Sequence, residues 1–236
     1  MQRRHNVQRK LHNINVHLIP KLHKENIDVD LHPSVLKNSR LEFTWDRPVP
    51  YNHGKVNWMG TRYGRKSEVK AFGYNLDGFS YRDKRDIDKI GFQKFTVFQI
   101  GIYDSGVNCG IFHAVPNDSI DRQRMRSLII DNNWADGLVN ILRNLNGHGL
   151  VWSISPKYNE QDGDCERKFY FDYQEPEEFV KFYKDYDTDG SYSSLMVWIP
   201  KWDSRLLKEN FENSCIEIFK LLYPLYEYIK WNKKGV

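Results

Sequence analysis

The residues best placed to do chemistry are Asp46, Glu68 and Lys70. Side chains two apart on a strand share a face. Glu68 and Lys70 would therefore point the same way from a strand over 67–74, with Asp46 one loop upstream. Two converging carboxylates, Asp46 and Glu68, would hold Mg²⁺, and the lysine would orient an attacking water or steady a negative transition state. The pattern is short. Glu166-Arg167-Lys168, with Asp162 and Asp164 beside it, is a second instance, and an exposed strand carries such a tripeptide equally well as a solvated charge pair.

Other constellations are weaker. Asp185-Tyr186-Asp187-Thr188-Asp189-Gly190 matches the opening of an EF-hand calcium loop, with oxygens at the first, third and fifth places and glycine at the sixth. The bidentate Glu that should close such a loop is replaced by Met196, so an acidic turn between a helix and a strand fits better. His12, His17 and His23 do not align on one helical face. Cys109 and His113 share a strand face but lie too far apart for direct contact, so a buried thiol and an ordinary histidine are expected rather than a nucleophilic pair. Tyr63-Gly64-Arg65-Lys66-Ser67 lacks the upstream glycine of a phosphate-binding loop.

That last segment belongs to a basic run, Arg62, Arg65, Lys66 and Lys70, interleaved with Trp58, Tyr63, Phe72 and Tyr74. Cations that meet phosphates beside rings that stack on bases are what single-stranded nucleic acid requires. Arg3, Arg4, Arg9 and Lys10 add a second basic surface. The charge is uneven along the chain: residues 1–85 carry 17 Lys+Arg against 8 Asp+Glu, and residues 86–236 carry 18 against 23. A basic half points to an anionic partner, and DNA or RNA is the commonest. Arg122, Arg124 and Arg126, by contrast, read as the solvated face of a helix.

The elements that must position these groups follow from periodicity. Residues 3–26 read as a basic helix with Val7, Leu11, Ile14, Leu18 and Leu22 on its apolar face; Pro20 leaves one helix or two pieces equally open. A strand over 40–45 leads into a long connection over 46–64. Runs 92–103 and 107–115, separated by Asp104-Ser105-Gly106, predict a β-hairpin. A helix from Asp118 or Ser119 to about Ile130 follows, then one carrying Trp134, Leu138, Ile141, Leu142 and Leu145 and stopped by Gly147 and Gly149. Strands over 150–154, 167–173 and 195–199 flank a short helix over 176–186. A long C-terminal helix over 204–230 carries Leu207, Phe211, Cys215, Ile218, Leu222, Leu225 and Ile229 as its buried stripe, with Pro224 expected to kink it. Strands and helices alternate irregularly, so an α+β fold with a mainly antiparallel sheet packed by helices is expected, as a single domain over 1–236.

The bulk composition sets limits. Hydrophobic residues make up 40% and aromatic residues 14%, enough for a large core. No run of about 18 apolar residues suggests a membrane span, and the charged start lacks a secretory h-region. Three widely spaced cysteines argue against a disulfide framework or a zinc site and for a reducing compartment. The cytoplasm is the expected location.

Ile19-Pro20-Lys21-Leu22 after a basic amphipathic helix, with Phe98-Gln99-Ile100-Gly101-Ile102-Tyr103 and then Gly110-Ile111-Phe112-His113-Ala114-Val115, resembles the YktB-like family of bacterial proteins. The likeness covers short patches between residues 12 and 155. The family's paired Arg and Thr before the sheet have no counterpart; Asn57-Trp58-Met59-Gly60-Thr61 stands there instead. The resemblance implies an α+β fold and no particular chemistry.

Two functional expectations result. One is a nucleic-acid-interacting protein, with a Mg²⁺-dependent nuclease of the PD-(D/E)xK type as its enzymatic version. The other is a non-catalytic module that recognises a small molecule, peptide or protein through an aromatic pocket, with Trp58, Trp152 and Trp198 as its first candidate rings.

Overall fold

Seven Trp, 14 Tyr and 13 Phe supply two aromatic cores in this chain. The structure, a computed structural model, describes residues 2–31, 44–45, 58–64, 95–113, 119–155, 166–188 and 191–230. Its elements run α1 (Gln2–Lys24), β1 (Asp30–Leu31), β2 (Thr44–Trp45), β3 (Trp58–Gly64), β4 (Val97–Tyr103), β5 (Gly106–Phe112), α2 (Ile120–Leu128), α3 (Asn132–Leu142), β6 (Leu150–Ser155), β7 (Arg167–Tyr170), α4 (Glu178–Tyr186), β8 (Tyr192–Pro200) and α5 (Lys208–Ile229). The chain divides into two compact units: Met1–Ile90, Phe98–Cys109 and Trp198–Lys220 form the first, and Gly91–Val97, Gly110–Val197 and Leu221–Val236 the second. Helices pack against an antiparallel sheet, the α+β arrangement expected, and the long C-terminal helix is present.

In the first unit β3 is central. It pairs antiparallel with β1, with β2 and, from Trp58↔Tyr103 to Tyr63↔Phe98, with β4. This corrects the expected connection over 46–64: residues 58–64 are a strand. Gly60 and Gly64 disguise it, and Gly60 stands opposite Gly101, where two bare backbones meet. Residues 46–57 and the strand expected over 67–74 lie outside the described residues. The expected hairpin is present, with Asp104-Ser105 as its two-residue turn between β4 and β5.

One face of the β3–β4 ladder carries Met59, Thr61 and Tyr63 beside Ile102, Ile100 and Phe98. Leu11 of α1 packs on Met59, with Ile14 and Ile102 against them. Phe219 of α5 meets the Phe98 and Tyr63 rings at 4.4 and 5.5 Å. Among the side chains of α1 that the structure describes, Leu11, Asn15, Leu18 and Leu22 are buried. The helix is one piece despite Pro20. Pro20 and Val16 are both exposed, so the Val16 carbonyl that loses its N–H partner faces water. Asn26 at φ 60 ends the helix, and Ile27 N–H returns to the Leu22 carbonyl at 2.9 Å.

In the second unit β6 lies between β8 and β7, antiparallel to both. Trp152 of β6 packs edge-on against Phe179 (4.8 Å) and Tyr183 (5.9 Å) of α4, and Phe169 of β7 joins them. Asp131 caps α3 by accepting the Trp134 N–H at 2.9 Å. Gly147 (φ 82) and Gly149 (φ 68) turn the chain after it, and both donate their N–H to the Asp172 carboxylate.

The start of the C-terminal helix also differs from expectation. Asp203 accepts the Arg205 N–H and begins a separate 3₁₀ turn, Ser204–Leu206; Leu207 is then extended and exposed, and α5 starts at Lys208.

Candidate nucleic-acid interface

Of the residues proposed for catalysis and metal binding, Asp46, Glu68 and Lys70 lie outside the described residues, as do Arg65 and Lys66. Arg3 and Arg4 fall in the first turn of α1, and Trp58 opens β3.

Arg62 and Tyr63 were expected to meet phosphates and bases. Both are buried, because β3 has paired strands on each side and packed side chains on both faces. The Tyr63 hydroxyl donates to Asn15 Oδ1 at 2.5 Å, and Asn15 Nδ2 donates to Thr61 Oγ1 at 3.2 Å. This buried relay fixes the rotation of α1 on the sheet. Burial pushes the Tyr63 phenol well above its ordinary pKa. On the opposite face of β3, Arg62 Nε donates to Gln99 Oε1 at 2.9 Å, and burial lowers its pKa to about 9. Neither side chain offers a surface to a polymer.

The basic character of α1 is different. Between Gln2 and Lys24 the helix has six Lys or Arg, four His and no carboxylate. With Leu11, Leu18 and Leu22 turned inward, Arg9, Lys10, His17, Lys21 and Lys24 are exposed. Lys10, His17, Lys21 and Lys24 follow one another at steps of seven, four and three residues, which places them along one helical face. Lys21 is paired with Glu212 of α5 at 2.7 Å. His23 takes the Val29 carbonyl at 2.9 Å and closes the C-terminal turn.

Arg122 and Arg126 of α2 overturn the expectation of a solvated face. Arg122 is buried: Nη2 meets Asp187 Oδ1 at 2.5 Å and Ser191 Oγ at 2.5 Å, and Nη1 donates to the Ser191 carbonyl. Arg126 Nε meets the other Asp187 oxygen at 2.6 Å. Arg124 reaches the Tyr228 carbonyl at 2.9 Å. Asp187 is thus a buried anchor for two arginines. Asp185 pairs with Lys181 one helical turn back; Asp189 lies outside the described residues. The acidic segment acts as a turn that locks onto α2.

Beside this lock sits His113, fully buried. Its Nδ1 is 2.7 Å from Thr96 Oγ1 and its Nε2 3.2 Å from the Tyr183 hydroxyl. Burial, opposed by Asp187 and reinforced by Arg122 and Arg126, lowers its pKa to about 3. The imidazole is neutral and structural. Cys109 and Cys215 are buried thiols in the first unit, and burial raises Cys109 well above its ordinary value.

Of the rings considered for an aromatic pocket, Trp152 is sealed in the core, where its Nε1 donates to Ser193 Oγ at 2.9 Å. Trp198 is exposed. A groove of about 470 Å³ between α3 and α4 is lined by Asn132, Asp136, Asn140, Arg143 and Glu177 with small aliphatic residues, and has no aromatic wall. Among the described residues no three His, Cys, Asp or Glu side chains converge as a metal site, and no helix is long and apolar enough to cross a membrane. No family model matches the chain, and no curated protein matches it.

Proposed function

We propose that this protein binds nucleic acid through the exposed face of α1. The observation that carries the reading is the charge of that helix, 23 residues with six Lys or Arg and no carboxylate, held by its apolar face. Arg3 and Arg4 in its first turn add to the positive end of the helix dipole, and Arg9, Lys10 and Lys24 continue the charge along the rod. Phosphate contacts to such a face release counterions, so affinity falls steeply with salt. Cleavage with Mg²⁺ through Asp46, Glu68 and Lys70 is the narrower, enzymatic form of the same reading. The likeness to the YktB-like family supplies no activity and carries no part of the argument.

The test is fluorescence anisotropy with labelled duplex DNA, single-stranded DNA and RNA between 50 and 200 mM salt, with gel assays in Mg²⁺ and Mn²⁺. Binding that weakens with salt supports the reading, and product bands lost in Lys70→Ala support the enzymatic form. Absence of binding at the lowest salt, or binding indifferent to salt, overturns it.

A further inference from the structure

The outward side of α1 carries more than charge. Leu11, Leu18 and Leu22 turn the other side of the helix inward. Opposite them Arg9, Asn13, Val16 and Pro20 follow at steps of four, three and four residues, and all four are exposed. The middle of this row is uncharged: a carboxamide at Asn13, then a valine that is 54% exposed within a basic helix. The face of Lys10, His17, Lys21 and Lys24 runs alongside, so cations flank a neutral crest.

Charge and arrangement together select what lies on this crest. The helix has no carboxylate of its own. On its α5 side Glu212 is paired with Lys21 at 2.7 Å, and Glu25, just past the helix, with Lys220 at 2.8 Å. A duplex groove presents base edges on its floor and phosphates along its rims, which matches an amide and an aliphatic group flanked by cations. An α-helix about 10–12 Å across enters the major groove of B-form DNA, about 12 Å wide. The deep, narrow major groove of A-form RNA does not admit it. A lipid surface would take up the apolar face, and that face is closed against Met59. In the major groove a carboxamide pairs with adenine N6 and N7, and an apolar group meets the thymine methyl. Asn13 and Val16 are about 4.5 Å apart along the axis, against about 3.4 Å for one base-pair step, so they address neighbouring pairs.

We infer that α1 is a recognition helix for the major groove of duplex DNA, with Asn13 on an adenine, Val16 against the methyl of a neighbouring thymine, and Lys10, His17 and Lys24 toward the phosphates. The inference rests on the nucleic-acid reading above and narrows its partner to B-form duplex with A·T pairs at the contact. Phosphate contacts fix register without carrying sequence, so the preference belongs to Asn13 and Val16.

The test titrates the full chain by anisotropy at low salt against a 20-base-pair DNA duplex, an RNA duplex of the same sequence and the single DNA strand. A second arm sequences the fraction bound from DNA duplexes with eight randomised central pairs. A matched base contact discriminates by roughly five-fold to a hundred-fold. The DNA duplex is therefore expected to bind at least about five-fold more tightly than the RNA duplex, and the bound fraction to be enriched in neighbouring A·T pairs. Asn13→Ala and Val16→Ser, both at exposed positions, should each remove the preference at one of the two pairs and leave the salt slope as it was. Equal binding of the two duplexes, tighter binding of the single strand, or a bound fraction without sequence preference overturns the recognition helix and leaves salt-dependent binding by α1 in place. A preference that survives both variants overturns it also. If no strand or duplex binds, inference and reading fall together, and cosedimentation with phosphatidylserine vesicles in that case assigns the helix to a lipid surface.

Discussion

Arg122 and Asp187 are 65 positions apart in the chain and are bound side to side, with Arg122 Nε and Nη2 at 2.9 and 2.5 Å from the same carboxylate oxygen. Arg126, one turn further along α2, takes the second oxygen. Both members of the first pair are buried, so each charge depends on the other to remain out of water. The lock joins α2 to the turn before β8.

Removing the carboxylate should therefore be costly. Asp187→Asn leaves two guanidinium groups facing a neutral amide, and loss of one partner of a buried pair costs about 3–5 kcal/mol. The measurement is the urea unfolding midpoint, compared with Asp185→Asn, which breaks only an exposed pair with Lys181 and should leave the midpoint where it was. Similar midpoints for the two variants would show that Asp187 is not an anchor.

His113 gives a pH signature. In the folded chain the imidazole stays neutral down to about pH 3, whereas an unfolded chain protonates it near pH 6.5. Between these values the unfolded state binds more protons, so stability falls as pH drops through that window and is unaffected by this group above it. The loss by pH 4 is roughly 3 kcal/mol. Carboxylates also titrate there, so the informative quantity is the difference in urea midpoint between wild type and His113→Gln at pH 7, 5.5 and 4.5. The wild type should lose more stability on acidification. Parallel curves would contradict a buried neutral imidazole.

Gly110 is a packing constraint of the same unit. A Cβ at this position would lie 2.2 Å from the Leu195 carbonyl oxygen and 2.9 Å from Met196 Cα, both backbone atoms of β8 that cannot swing aside. Gly110→Ala should cost at least about 2 kcal/mol by chemical denaturation. Gly147→Ala meets no neighbouring atom within 4 Å and is strained only by its positive φ, so it should cost less.

Local chemistry explains which parts of the fold could be read from residues alone. The β4–β5 hairpin was legible because Asp104-Ser105-Gly106 interrupts two β-branched and aromatic runs. The cap on α3 went unread, although Asp131 stands immediately before the helix and is equally local. The fates of Arg62, Tyr63 and Arg122 could not be read that way. Arg62 and Tyr63 are buried only because β3 has neighbours on both sides, and Arg122 because its partner arrives 65 residues later. Three arginines at alternate positions look the same whether water or Asp187 faces them. The charge of α1 was legible, since it needs no distant partner to exist. Its orientation was not, because the Asn15–Thr61–Tyr63 relay joins residues 46 and 48 positions apart.

The orientation of α1 leads to the last prediction. Lys10 and Lys24 are exposed on its basic face, away from the buried Leu11, Leu18 and Leu22, so reversing their charge should not disturb the core. Lys10→Glu with Lys24→Glu should weaken nucleic-acid binding uniformly across sequences and flatten the plot of log affinity against log salt. Each lost phosphate contact reduces the slope by about 0.7 for single strands and about 0.9 for duplex. Lys21→Glu should do less, because Lys21 is already paired with Glu212. Anisotropy titrations at four salt concentrations measure both slope and intercept, and circular dichroism checks that the fold is kept. An unchanged slope in the double variant would mean that the polymer does not lie along this face.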